Sequence, residues 1–459
     1  MGKGAKAIFV FAAFFIGILL LAFNFHISQK SALQQKNALG KSSSGKSYSG
    51  NNNGVDSLLN VERAVMYYSL GDNKPRDLEE SVDVLKPLKP QFIWFAFALG
   101  PKPLFYSPSQ AYNYFLSIGL SKNKAERLEK VIEESHYSVE GFKNSIAYVR
   151  KQMPGTIIII SILPQFMPKP ALDPESYKPI PESEINKMAL NLGKWGIKNP
   201  ETGKIFDLES TQEIFQRMSG ENYIYPDITS KQYQNFLFER IKKVLDANPD
   251  GIWIDFLFSQ TTAICRILEN GRYKGMDIIK HCNFSNEAVK DSFFSACNLT
   301  KMIKDYAKKE NKTVYVGTWA GFMLYPWKCN YVDFVTESPS PNEVYSLKLD
   351  KEKWDLLKKM DEEKYGGKIK IFISPDFGPG SNTMMAVFSQ KLDKKEREEF
   401  LQAMSEFAKM KNLTVIYPIH GGSMGKDPKK LAFGKHNWYD ALAPEFGDYR
   451  VVEQVILNP

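Results

Sequence analysis

Asn248 to Gln260 reads NPDGIWIDFLFSQ, and its centre, Ile252 to Phe258, is apolar but for one carboxylate, Asp255. A charge inside an apolar run is costly to bury unless something compensates it. The run itself reads as a strand covered on both faces. Asp250-Gly251 makes the turn into it, and Gly251 is expected to supply the backbone angle that the turn needs. Asp255 then falls at the far end of the strand.

Seven further runs share this character. They are AVMYYS (64–69), QFIWFAFAL (91–99), GTIIIISIL (155–163), TVYVGTW (313–319), YVDFVTES (331–338), KIKIFISPD (368–376) and LTVIYPIH (413–420). Helix-compatible stretches separate most of them, such as 78–88, 232–247, 286–310, 343–364 and 392–411. KKEREEFLQAMSEFAKM (394–410) has plain helical spacing. Strand–helix alternation repeated eight times predicts an α/β fold, a (β/α)8 TIM barrel. A doubly wound open sheet is the rival, weakened because no G-x-G-x-x-G follows the first strand. One interval breaks the rhythm. Residues 164–250, between strands three and four, form a long insertion that starts Pro-rich and polar, with a helix expected near 182–194. Such an insertion would lie over the C-terminal face as a lid or binding wall.

Chemistry in a barrel sits at the C-terminal strand ends. Read in order, those ends offer Tyr67, Trp94, Gln165, Asp255, Trp319, Glu337, Asp376 and His420. Three of these residues are carboxylates and three are aromatic. Aromatic faces stack on the apolar faces of sugar rings, and glycoside hydrolysis uses two carboxyl groups flanking the scissile bond. Asp255 as nucleophile and Glu337 as general acid/base are therefore the expected catalytic pair. Tyr67, Trp94, Gln165, Trp319, Asp376 and His420 are the expected sugar contacts. Each has a plainer reading. Asp255 would cap a helix or pair with an arginine, Glu337 would cap a turn, and Asp376 would close an Asx-turn before Gly378.

The approach to the fourth strand, YPDITSKQYQNFLFERIKKVLDANPDGIWIDF (225–256), resembles that of barrel-type glycoside hydrolases of the α-glucosidase and α-galactosidase group. There a PDFTNP-like segment leads through a helix to DGIWID. Pro226, Asp227, Thr229, Asp250, Gly251, Trp253 and Asp255 fit that pattern. The resemblance implies that Asp255 is the nucleophile and that the strand-six carboxylate, here Glu337, is the acid/base. The chain departs from it after Asp255, where Phe256-Leu257-Phe258 replaces the usual D-M-N-E, and in having Glu rather than Asp at strand six.

The rest of the sequence sets the context. Residues 7–23 are apolar throughout, and Phe25 and Ile27 extend the run towards the ~20 residues a bilayer helix needs. Lys3 and Lys6 precede it, which favours the N-terminus inside and the remainder outside. Residues 1–27 are thus expected to anchor the chain in a lipid bilayer as one transmembrane helix, a cleaved signal peptide being the rival. Residues 28–60, Ser/Gly/Asn-rich, are expected to be a flexible linker, and 61–459 the barrel. The formal net charge is +8, most of it before residue 60, so no nucleic-acid partner is expected. With five His and no H-x-H after strand one, neither a metal nor any cofactor is expected. Cys265, Cys282, Cys297 and Cys329 match no metal spacing and allow two disulfides outside the cell or four buried thiols. The expected protein is a membrane-anchored extracellular glycoside hydrolase or transglycosylase. The alternative is an inactive barrel that binds carbohydrate.

Overall fold

The computed structural model describes, with short breaks, residues 58–67, 85–95, 106–164, 180–205, 226–268, 282–319, 329–339, 349–374 and 394–419. The expected anchor, nearly all of the linker and everything beyond 419 lie outside the described residues. Among the described residues no helix is long and apolar enough to cross a membrane.

Eight parallel strands close in chain order into one barrel. They are β1 (Ala64–Tyr67), β2 (Phe92–Phe95), β3 (Ile157–Ile162), β4 (Gly251–Ile254), β5 (Tyr315–Trp319), β6 (Phe334–Glu337), β7 (Lys370–Ile373) and β8 (Thr414–Ile419). Each falls inside one of the eight apolar runs, so the expected (β/α)8 architecture is what forms. The outer layer holds α1 (Pro108–Ser117), α2 (Lys122–Glu133) and α3 (Val139–Gln152) between β2 and β3. It continues with α4 (Glu182–Met188) and α5 (Lys231–Asp246) before β4, then α6 (Ser259–Leu268) and α7 (Glu287–Lys309) before β5. The helix α8 (Lys351–Tyr365) leads into β7 and α9 (Lys394–Met410) into β8. Side-chain caps start several of these helices where they leave the mouth. Ser230 accepts from the Tyr233 amide, Asn286 from those of Ala288 and Val289, and Asp350 from those of Glu352 and Lys353.

The insertion after β3 is structured in its described parts. It contains α4 and a 3-10 turn at Leu192–Trp195, and Ala189 bridges to Pro226 just before α5. The four cysteines form two disulfides, Cys265–Cys282 and Cys297–Cys329, with Cα atoms 5.4 and 5.6 Å apart. One ties α6 to the segment before α7, the other ties α7 to the segment before β6.

Contacts across the barrel show which side chains face its lumen. Phe92 of β2 lies 4.7 Å from Phe372 of β7 and 5.6 Å from Phe334 of β6, centroid to centroid. These strands are not neighbours, so the three rings meet in the interior. One layer higher, Trp94 of β2 lies 4.5 Å from Trp253 of β4, and the Trp253 indole donates to Thr336 Oγ1 of β6 at 3.1 Å. Side chains alternate faces along a strand, and paired residues of parallel strands share a face. The register pairs Trp253 with Ser161 and Gly317, Trp319 with Thr336, and Thr336 with Phe372. Every cross-lumen contact agrees with this assignment.

Two glycines make the packing possible. A Cβ on Gly317 would lie 2.1 Å from the Phe334 ring, and one on Gly251 would lie 2.5 Å from the Tyr315 carbonyl. Gly251 is not among the residues with positive φ. Its sequence-based explanation is corrected accordingly: close approach of β5, not an unusual backbone angle, requires glycine there. Asp250 has its own work. It accepts from Arg150 at 2.8 Å and from the Ile158 amide at 2.8 Å, fastening β4 to β3 where both enter the sheet.

Residues 58–61 shut the base of the barrel. Leu58 is buried. Lys370, at the lower end of β7, donates to the carbonyls of Leu59 at 2.9 Å and Val61 at 2.8 Å. Thr414 Oγ1 donates to the same Val61 carbonyl at 2.6 Å. Burial pushes the Lys370 ammonium down to about 8, partly opposed by Glu62.

Candidate functional site at the C-terminal mouth

The floor of the mouth is the Trp94–Trp253 pair, and both indole N–H groups are occupied: Trp94 donates to Ser161 Oγ and Trp253 to Thr336 Oγ1. The floor therefore presents rings rather than donors. Above it, Asp255 directly follows β4. Its amide donates to the Ile162 carbonyl at 3.0 Å, so the ladder continues through it. It stands two residues after lumenal Trp253, on the same face, and is half-buried. Trp319 ends β5 on the lumenal face and is also half-buried. The expected residues Asp255, Trp94 and Trp319 thus share the lumenal face of the sheet towards its C-terminal end.

Glu337 is placed differently. It follows Thr336, a lumenal residue, and pairs in register with Ile373, which follows lumenal Phe372. It therefore takes the outer face of the sheet, against the helices. It is 0% exposed, and its carboxylate lies 3.5 Å from the ammonium of Lys353 on α8, itself 2% exposed. Lys353 also donates to the Ser338 carbonyl at 2.6 Å, and Glu337 Oε1 accepts from the Ser338 amide at 3.2 Å. Two charges removed from water are held here by each other and by local backbone groups, which is how a buried pair is tolerated. Nothing in VTESPSP or DKEKWD marks this partnership, because Lys353 looks like any other lysine of a charged helix.

Gln165, Asp376 and His420 lie outside the described residues. So does the Tyr67 side chain, although the Tyr67 backbone ends β1 in register with Phe95 and Ile419.

The segment Pro226–Thr229 has a clear structural task. Asp227 is buried, and its carboxylate accepts from the Thr229 amide at 3.0 Å, Thr229 Oγ1 at 2.6 Å and Gln260 Nε2 at 2.9 Å, while pairing with Lys194. Gln260 returns a bond by accepting from the Ile228 amide at 2.7 Å. One carboxylate thus joins the insertion, the start of α5 and the start of α6 next to the β4 end. On α5, Tyr233 donates its hydroxyl to the Pro164 carbonyl at 2.7 Å, and burial raises its phenol far above the usual range, so it stays a donor. These bonds hold the loops that leave β3 and β4 and so fix the surroundings of Asp255.

Sequence reading did not single out Ser161, Thr336, Ser374 or Lys353. The first three are small hydroxyl residues within strands or directly after one, and only the register shows that they face the lumen.

No family model matches the chain, and a search of curated proteins finds no match. Among solved structures, the chain is similar to the glycoside hydrolase domain of PelA from Pseudomonas aeruginosa, at 9% identity over 78% of this chain and 93% of that one, with a TM-score of 0.38. It is similar to a tandem GH20 catalytic module of the pneumococcal exo-β-D-N-acetylglucosaminidase StrH, at 9% identity over 86% and 84%, TM-score 0.41. It is also similar to the α-amylase of Geobacillus thermoleovorans, at 10% identity over 86% and 80%, TM-score 0.37. These neighbours are glycoside hydrolases, at identities and TM-scores too low to transfer a reaction or a residue's role.

Proposed function

We propose that this barrel acts on glycans, hydrolysing or transferring glycosidic bonds at its C-terminal mouth with Asp255 as the nucleophile. The observation that carries the reading is the position of Asp255: a half-buried carboxylate on the lumenal face, above a floor of two tryptophan rings and near the rim residue Trp319. Aromatic faces and one well-placed carboxylate suit a neutral, hydroxyl-rich ring. In the two-carboxylate form of the mechanism Glu337 is the general acid/base, which requires the end of β6 to turn it from the helix face to the lumen and away from Lys353. Carboxyl groups about 5–5.5 Å apart would then give retention, and about 6.5–9.5 Å inversion. Gln165, Asp376 and His420 are proposed sugar contacts alongside Trp94 and Trp319.

A second reading, a carbohydrate-binding barrel without turnover, is favoured by one specific observation, the buried Glu337–Lys353 ion pair. A glycan screen on residues 58–459, comparing wild type with Asp255→Asn and Glu337→Gln, separates the two. Turnover abolished by Asp255→Asn supports the enzyme. Turnover that survives the change removes Asp255 from the chemistry, and binding without turnover in wild type supports the second reading.

The proposal extends to place: residues 7–27 anchor the chain in a membrane, with the barrel outside. The two disulfides support it, since such bonds persist in oxidising compartments. Protease protection of the barrel in sealed cells would count against it.

A further inference from the structure

The hydroxyl groups of the lumen are not all alike. Ser161 Oγ accepts from Trp94, and Thr336 Oγ1 accepts from Trp253. Ser374 directly follows β7. Its amide donates to the Glu337 carbonyl at 2.8 Å, so the ladder runs through it, and it stands two residues beyond lumenal Phe372. It is 2% exposed, yet its Oγ is buried with no hydrogen-bond partner. A buried hydroxyl left without a partner costs the desolvation of that group, and native proteins carry few of them.

Alternation puts Ser374 on the face that carries Thr336 and Trp319, at the level of the rim above the tryptophan floor. Among the described residues its Oγ has no hydrogen-bond partner. The two indole donors are already committed to Ser161 and Thr336, and the Glu337 side chain belongs to the opposite face of the sheet. We propose that Ser374 is a ligand-binding residue whose partner is a hydroxyl of the glycan seated on the Trp94–Trp253 floor. A hydroxyl of the bound ligand would supply the hydrogen bond that Ser374 Oγ lacks among the described residues. The inference rests on the glycan reading above and deepens it: the ligand brings a neutral hydroxyl, not a charged group, to the β7 side of the mouth.

The test uses Ser374→Ala in the full chain, with 4-nitrophenyl galactosides, glucosides and N-acetylglucosaminides of both anomers as probes. Thermal melting of the free protein is expected to stay level or rise, because a hydroxyl without a partner is removed. KM, or Kd where there is no turnover, is expected to rise roughly 3–10-fold, the size of one neutral hydrogen bond. Single-deoxy versions of the responding glycoside should include one that wild type binds weakly and that Ser374→Ala binds no worse than the parent sugar. A melting temperature lowered by several degrees would mean that Ser374 serves the fold, and would overturn the proposal. Unchanged affinity in a wild type that does respond to a glycoside would overturn it too. A wild type that neither binds nor cleaves any probe would instead remove the glycan reading and this inference with it.

Discussion

Asp255 and Glu337 close strands two places apart, at the same end of one barrel, and they occupy opposite faces of the sheet. Asp255 continues the parity of Gly251 and Trp253 into the lumen. Glu337 breaks from the parity of Phe334 and Thr336 and meets Lys353 in the helix layer. The contrast teaches that a carboxylate at a strand end is a site candidate only once its face is known. Of two similar acids, one stands on the lumenal face and the other is held against α8 by Lys353.

Substitutions can break or sharpen this contrast. The largest effect is expected from Asp255→Asn, which should lower turnover of a responsive glycan by about 10³-fold or more while leaving thermal melting nearly unchanged. A large loss of stability would mean that Asp255 resembles Glu337 more than the register implies. Next comes Glu337→Gln. Leaving Lys353 with a weakened partner in the interior should cost about 3 kcal/mol, read from chemical denaturation, and Lys353→Met should cost a similar amount. Joint replacement by apolar residues of similar volume should recover much of that loss. Turnover that collapses in a Glu337→Gln protein of undiminished stability would instead return Glu337 to the chemistry.

Smaller effects test the lumenal face itself. Gly317→Ala drives a methyl into the Phe334 ring and should destabilise by roughly 1–3 kcal/mol. Thr336→Val strips the acceptor from the Trp253 indole and should cost about 1–3 kcal/mol. Indole fluorescence shifts in that variant would confirm the bond. The subtlest effect lies at the base, where the folded state holds Lys370 at about 8, below its ordinary value of 10.5. Between those two values the unfolded chain binds the extra proton, so this group makes stability rise with pH across that window. The difference in unfolding free energy between wild type and Lys370→Met should therefore change between pH 8 and pH 10.5. A constant difference would show that Lys370 does not titrate there.

Much of the architecture could be read from residue order. Eight β-rich apolar runs separated by helical patterns define a barrel almost by their number, and each of the eight contains a strand. The position of Asp255 at the end of the fourth was equally legible, because DGIWID places a turn, a strand and a charge in sequence. Within the site, the aromatic floor was half legible: Trp94 stood out, but its contact with Trp253 crosses two strand positions and appears only when the sheet closes.

Ser161, Thr336 and Ser374 were hidden for a single reason. Strands covered on both faces are apolar on both faces, so their sequences lack the alternation that would label inside and outside. A run such as FVTE or KIFI gives no sign of which residues face the axis.

Sequence by itself determined the strand count, the order of elements, the placement of one carboxylate at a strand end and the apolar N-terminal run. Tertiary structure decided the faces. Closure brought Phe92 against Phe372 and Trp253 against Thr336, and those contacts fix the register that sends Asp255 inward and Glu337 outward. The physical reason is that a strand's pattern records burial, which is local, whereas facing depends on partners several strands away.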